Sequence, residues 1–154
     1  MGSDEPEVRE LATHECWALL RTASVGRLAV WVDDHPDIFP LNYAVDHGTL
    51  VFRSGRGTKV SAAVSDVPVA LEVDGYDASS NEAWSVVIKG RGEGIREIDE
   101  LIDTVSLPLF PWQAGAKNLF IRLVPTLVTG RRFPVADPTI WQTPFSNVRH
   151  SPSE

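Results

Sequence analysis

The sequence predicts a mainly β (α+β) domain, a small antiparallel barrel of about six strands with three short helices at its ends and crossovers. Three observations lead there. Apolar residues recur with a period of two in segments parted by turn clusters such as 33–37 and 46–48. Helical periodicity is confined to short stretches that do not alternate with the strands, which argues against a doubly wound parallel sheet. Gly90, Gly92 and Gly94 lie inside one long strand segment, and barrels turn corners at such glycines.

Taken in order, residues 1–12 are polar and charged, with Pro6 among them, and read as a flexible lead-in. A helix is predicted from Thr13 to about Thr22: Thr13 can cap it, Glu15 suits its positive end, and Cys16, Leu19 and Leu20 share a face. Ser24 to Val32 is dense in Val, Leu and Trp and forms the first strand, with Asp33 to Asp37 as its turn. Phe39, Leu41, Tyr43 and Val45 then alternate with Pro40, Asn42, Ala44 and Asp46, the clearest half-buried strand in the chain. Asp46-His47-Gly48 turns it back, and Thr49 to Arg53 is the third strand.

The glycine-rich segment Ser54 to Lys59 leads into a short helix ending near Ser65. Val67 to Val73 is the fourth strand, Asp74 to Glu82 a polar loop and Trp84 to Ile95 the fifth strand. Ile98, Leu101, Ile102 and Val105 fall at i, i+3, i+4 and i+7, which predicts a helix stopping before Pro108. After a loop over 107–116, a sixth strand runs from about Asn118 to Arg131, with Pro125 marking a bulge or an edge. This gives a body of residues 13–133. The segment 134–154 carries Pro134, Pro138, Pro144 and Pro152 and cannot be regular, yet Trp141 and Phe145 would be costly to leave in water. It is expected to dock on the body or on a second subunit.

Composition narrows the function. The chain has 154 residues, with 14 Lys+Arg against 21 Asp+Glu and a net charge of −7, so a nucleic-acid partner, which needs a basic face, is not expected. The longest purely apolar run, Leu28 to Val32, is far short of the ~20 residues of a spanning helix, so no membrane partner is expected either. A single cysteine, Cys16, suits a reducing compartment, and the expected location is cytoplasmic. His14, His35, His47 and His150 are too scattered for a metal-ligand pair, and there is no Gly-x-Ser-x-Gly or Walker loop.

Two segments carry chemistry. Arg53-Ser54-Gly55-Arg56-Gly57-Thr58-Lys59 puts three cations and two hydroxyls in seven residues of an acidic chain, between a strand and a helix N-terminus, as a phosphate site requires. A solvated glycine hairpin with incidental charges is the other reading of the same residues. In Pro40-Leu41-Asn42-Tyr43, small neighbours leave room beside Asn42 for a flat heteroaromatic ring, with Trp84 as a wall or stacking partner. The other reading there is an Asn42 that faces solvent and a Trp84 in the core.

The order of motifs Glu15-Cys16-Trp17-Ala18-Leu19-Leu20, Val25-Gly26-Arg27-Leu28-Ala29, Phe39-Pro40-Leu41-Asn42-Tyr43, Leu50-Val51-Phe52-Arg53-Ser54, Gly57-Thr58-Lys59 and Trp84-Ser85-Val86-Val87 resembles the pyridoxamine 5'-phosphate oxidase-like split barrels, in particular the nitroimidazole-resistance branch. The resemblance spans about residues 11 to 133. It implies a homodimeric split β-barrel, a flavin-dependent oxidoreductase with FMN in a groove between subunits and a small-molecule substrate. Arg53, Ser54, Thr58 and Lys59 would hold the phosphate, Pro40, Leu41 and Asn42 would line the isoalloxazine, Phe52 would flank it and Trp84 would come from near the dimer seam. Relatives that bind a deazaflavin (F420) or haem leave those cofactors, and a non-catalytic binding or sensing role, as alternatives. No catalytic side chain is implied, and Trp112, Trp141 and Phe145 are candidate walls of the substrate space. Vitamin B6 oxidases follow a C-terminal Trp-Gln with an arginine- and histidine-bearing motif. Here Trp112-Gln113 runs into Ala-Gly-Ala and Trp141-Gln142 into Thr-Pro-Phe, so the resemblance does not extend to vitamin B6 oxidation.

Overall fold

The computed structural model describes residues 7–54, 67–95 and 119–135. Among them seven strands and one helix follow in the order β1 (Arg9–Glu10), α1 (Thr13–Leu20), β2 (Val25–Val32), β3 (His35–Asp46), β4 (Thr49–Ser54), β5 (Val69–Asp77), β6 (Glu82–Gly94) and β7 (Leu119–Pro134). The mainly β antiparallel barrel read from the sequence is what they form. Strands β7, β4, β3, β2, β5 and β6 are neighbours in that order, and β6 pairs with β7 again to close the ring. The helices expected before Ser65 and over 98–105, the loop over 107–116 and the tail beyond 135 lie outside the described residues.

Tight turns set the register. Asp33 and Asp34 both take positive φ, 50° and 62°, so two residues suffice to turn β2 into β3. Strand β3 therefore begins at His35, earlier than the broad turn expected over 33–37, and pairs from Val32↔His35 to Val25↔Asn42. His47 and Gly48 make a second two-residue turn of the same hand, which fixes Asp46↔Thr49 through Tyr43↔Phe52. Strand β5 extends past Val73: Asp74 to Asp77, expected as loop, continue to pair with β6 up to Asp77↔Glu82. Their outward side chains are held locally, Asp74 by Arg27 at 3.2 Å and the Tyr76 hydroxyl by Asn81 at 2.7 Å, so a polar segment is as good a strand here as an apolar one.

Strand β7 carries the split. Along one edge it pairs with β6 from Ile121 to Pro134, and along the other it meets β4 at Leu119–Leu123 and β1 at Arg131–Arg132. Between those two contacts no described strand covers the second edge. Helix α1 packs there instead: Leu11 N–H donates to the Gly130 carbonyl at 2.9 Å, and Cys16 lies against Gly130. The end of the expected lead-in is thus tied to the sheet by β1. The helix starts at Thr13 as expected and ends at Leu20, but its cap residue is Ala12 and not Thr13, and the Glu15 carboxylate accepts the Ala12 N–H at 2.8 Å. That bond, followed by the Arg9 guanidinium, holds the Glu15 carboxyl below the usual carboxylate range. At the other end the Thr22 hydroxyl caps the Leu19 carbonyl at 2.6 Å.

Leu28, Val30, Leu41, Phe52, Leu71, Ile88 and Leu123 fill the barrel, and Cys16 and Leu20 seal it from the helix side. Among the described residues no helix is long and apolar enough to cross a membrane. The bulge anticipated near Pro125 is present: Lys89 pairs with Leu127 but Gly90 pairs with Pro125, leaving Thr126 as an extra residue whose hydroxyl donates to the Lys89 carbonyl at 3.1 Å. Backbones approach closely at this point. A Cβ on Gly90 would meet the Val124 carbonyl oxygen at 2.1 Å, a clash with main chain that no rotamer relieves. Gly90→Ala is expected to destabilise the fold by about 3 kcal/mol, measured by urea unfolding, because the strand pair must part to admit the methyl group.

Candidate functional site

The two turns that fix the register also decide which residues share a face. Continuing β3–β4 pairing by one residue beyond Tyr43↔Phe52 sets Asn42 beside Arg53, and Arg53 in turn pairs with Phe120 on β7. Alternation places all three on the outer face, with Ala44, Val51 and Arg122 in the next row. Ala44 and Val51 are 8% and 0% exposed although they point away from the barrel interior, so this part of the outer face is a covered floor. The Arg53 guanidinium lies 5.5 Å from the Phe120 ring centroid, close enough for a cation–π contact that steadies a long side chain. At the far end Arg122 bonds Asp46 at 2.8 Å and Thr49 at 2.6 Å, and it is the main cause holding the Asp46 carboxyl below its usual range.

Strand β4 reaches β3 only over residues 43–46. From Asn42 back to His35, β3 is paired through β2 alone among the described residues, and the Asn42 amide leans toward the β2 side, where Ser24 accepts from it. Next to Asn42 along the chain, a cleft of about 440 Å³ is lined by Leu20, Arg21, Thr22, Ala23 and Ser24 and by Tyr43 to Val45. The loop that lines it is clamped to β3: the Ser24 carbonyl accepts the Tyr43 N–H at 3.1 Å and the Asn42 Nδ2 at 3.3 Å, and the buried Tyr43 hydroxyl donates to the Leu20 carbonyl at 2.6 Å. Burial pushes the Tyr43 phenol well above the ordinary tyrosine value.

Of the residues expected at a cofactor site, the structure brings Pro40, Asn42 and Arg53 to one outer face. Leu41 and Phe52 point the other way. They are 6% and 2% exposed, their side chains belong to the core, and only their main chain borders the outer face. Phe52 therefore does not flank that face with its ring, because strand alternation turns it inward beside Arg53. Trp84 is also a core residue, the second of the two readings given for it. It points inward on β6, three strands from Asn42, and its indole packs so closely over Gly75 that a Cβ there would lie 2.6 Å from the ring. Ser54 ends β4, while Thr58, Lys59, Trp112, Trp141 and Phe145 lie outside the described residues. Sequence reading did not find Phe120, Val51 or the Ser24 carbonyl as neighbours of the site, since only the register of β7 and the course of the α1–β2 loop bring them there.

A family model described as pyridoxamine 5'-phosphate oxidase matches residues 12–132. An uncharacterized Mycobacterium tuberculosis protein, Rv0080, is 33% identical over 136 residues, which is 85% of this chain and 88% of that one. The solved FAD binding protein of Mycobacterium smegmatis is similar at a TM-score of 0.71 with 35% identity, over 82% of this chain and 98% of that chain. A FAD-binding protein from Mesorhizobium loti is similar at a TM-score of 0.74 with 26% identity, over 85% of this chain and 100% of that one.

Tyr43 is the hinge pin of the cleft, and its removal is measurable. Tyr43→Phe leaves the Leu20 carbonyl without its donor and is expected to cost about 1–2 kcal/mol in chemical unfolding at neutral pH. The phenol is held protonated by the fold, so its contribution is intact below the unfolded tyrosine pKa of about 10 and is lost as pH climbs from there through the raised folded value. Wild-type stability should therefore fall above that pH more steeply than that of Tyr43→Phe, and parallel curves would contradict this role.

Proposed function

We propose that this chain, which belongs to the pyridoxamine 5'-phosphate oxidase family, is a flavin-dependent oxidoreductase that holds a flavin nucleotide, FMN or FAD, along the outer face of β3 and β4. One observation carries the reading: Asn42 and Arg53 are the next residues beyond the Tyr43↔Phe52 pair on adjacent strands, so two segments that separately suit a ring and a phosphate lie on one side of the sheet. The solved relatives named for binding FAD support a flavin as the group that occupies such a surface. The residues fit it. Pro40 and Asn42 stand on the outer face of β3, where a planar heterocycle would lie, and Arg53 supplies a guanidinium from the neighbouring strand. From the sequence, Ser54, Thr58 and Lys59 would complete the phosphate grip with Arg53.

A bound flavin supplies reversible hydride and electron chemistry, and this chain's residues bind it, orient it and keep water from one of its faces. A second copy is the proposed partner, with the cofactor groove between subunits. Trp31 and Ile38, 56% and 66% exposed on the outer face of β2 and β3, offer such a partner an apolar seat.

Purified protein is expected to be yellow, and mass spectrometry of the released ligand distinguishes FMN from FAD. Protein that is colourless and takes up neither would overturn the reading. The double variant Arg53→Glu with Lys59→Glu should keep its melting temperature yet bind flavin roughly a hundred-fold more weakly, the loss of two charge-assisted contacts totalling about 3 kcal/mol. Unchanged affinity removes the phosphate assignment. Flavin-loaded protein that neither accepts electrons from NAD(P)H nor passes them to a quinone or nitroaromatic acceptor would reduce the proposal to a binding protein.

A further inference from the structure

Away from the site described above, the outer face of the barrel carries a second recess. A groove of about 240 Å³ lies where β3, β2, β5 and β6 adjoin, lined by Ala29, Ile38, Ala70 and Val87 with Arg27 and Glu72 at its edge. The register explains it. Ile38, Ala29 and Ala70 stand directly opposite one another across three strands, and the next outward row holds Arg27, Glu72 and Val87, so two alanines leave a dip among larger neighbours. Its polar edge is fixed, because Arg27 bonds Glu72 at 3.1 Å and Asp74 at 3.2 Å while the Ser85 hydroxyl donates to Glu72 at 3.1 Å. The volume falls below the ~300 Å³ at which small-molecule sites begin, and it suits one large side chain.

The chain holds such a side chain within reach. Val135, the last described residue, is tied to the turn between β5 and β6: its N–H donates to the Asn81 carbonyl at 3.0 Å, and Asn81 Nδ2 donates to its carbonyl at 3.4 Å. The Tyr76 hydroxyl steadies Asn81 from β5 at 2.7 Å. Residues 136–154 therefore leave the barrel at the end of the strand pair that gives Ala70, Glu72 and Val87 to the groove. From Glu82, level with Pro134, to Val87 is five strand residues, ~17 Å. From Val135 to Trp141 is six residues, ~19 Å where Pro138 favours an extended course. We propose that the tail of the same chain turns back along the outer face and seats Trp141 in this groove, with its ring on Ala29, Ala70 and Val87 and its N–H toward the Glu72 carboxylate. An indole needs an apolar bed and an acceptor, and the groove offers both. The tether favours this occupant over an outside one, since it holds Trp141 at an effective concentration on the order of mM. Trp31 lies outside the groove and stays available to a second copy, whereas Trp141 is then a fastening of the tail and no wall of the substrate space.

The test follows chymotrypsin cleavage of the tail, after Trp141 and after Phe145, by mass spectrometry of the full-length chain. Val87→Lys spoils the groove on a face that already bears Lys89, and Trp141→Ser removes the occupant. Each should speed cleavage after Phe145 about ten-fold, and the double variant should be no faster than either. Unchanged cleavage in both single variants, or additive effects in the double, would overturn the docking. Mixing full-length Val87→Lys with full-length Trp141→Ser then identifies the source of the tail, because only the first can be cut after Trp141. Cleavage there that stays fast supports docking within one chain, and protection shows a tail crossing to the partner, against the proposal. A Val87→Lys chain that loses self-association with its tail cleavage unchanged makes the groove a seat for a second copy and also overturns it. If that variant does not fold, the intact chain labelled with 5-fluorotryptophan decides alone: the Trp141 resonance, assigned through Trp141→Phe, should not shift between H2O and D2O, and a solvent-exposed shift ends the proposal.

Discussion

Backbone pairing between β6 and β7 turns a meander of hairpins into a closed barrel. The pairs β2–β3, β3–β4 and β5–β6 are joined by short turns and β2 meets β5 across the intervening strands, whereas β7 must return from the far end of the chain to bind β6 and β4 together. Once it does, the interior is committed. Leu28, Phe52, Leu71, Ile88 and Leu123 fill it. The closure also decides which outward rows of side chains are aligned on neighbouring strands.

Those rows depend on a second, smaller fastening. The α1–β2 loop does not simply connect its elements, because the Ser24 carbonyl serves both the Tyr43 N–H and the Asn42 amide while Tyr43 reaches Leu20. The end of helix α1, the loop and the strand bearing Asn42 are thus one hydrogen-bonded unit. Helix α1 is held in turn by Gly130 at the split of the barrel, so the site strand is braced on the side opposite β4. Rigid support of this kind is what a weakly anchored planar ligand requires, since each displaced side chain would add an ordering cost to binding.

Much of this is legible in the amino-acid sequence for a physical reason. A strand with one wet face must alternate, and Phe39 to Asp46 does so without interruption. Charges concentrated between a strand and a predicted helix are equally legible, because Arg53 to Lys59 contradicts the acidic balance of the whole chain. What escapes is non-local. Asp74 to Asp77 has the composition of a loop and becomes strand only because Trp84 and its neighbours pair with it. Ala12 caps the helix through the side chain of Glu15, a bond that the cap residue itself does not announce. Phe52 and Trp84 carry the right chemistry for a ring pocket, but strand parity turns both inward, and parity is set by turns many residues away.

The bulge at Thr126 works like an inserted letter in a text read two characters at a time. Ahead of it the odd-numbered residues Ile121 and Leu123 enter the interior, and beyond it the even-numbered Val128 and Gly130 do so against Ile88 and Val86. Lineages that lengthen or shorten this strand by a single residue would invert the meaning of everything downstream, exchanging Leu127 for Val128 and pushing the smallest residue out from beneath the helix. Outward side chains of β7 other than Phe120 and Arg122 can change without touching this register, whereas the number of residues ahead of the bulge sets the facing of every residue after it.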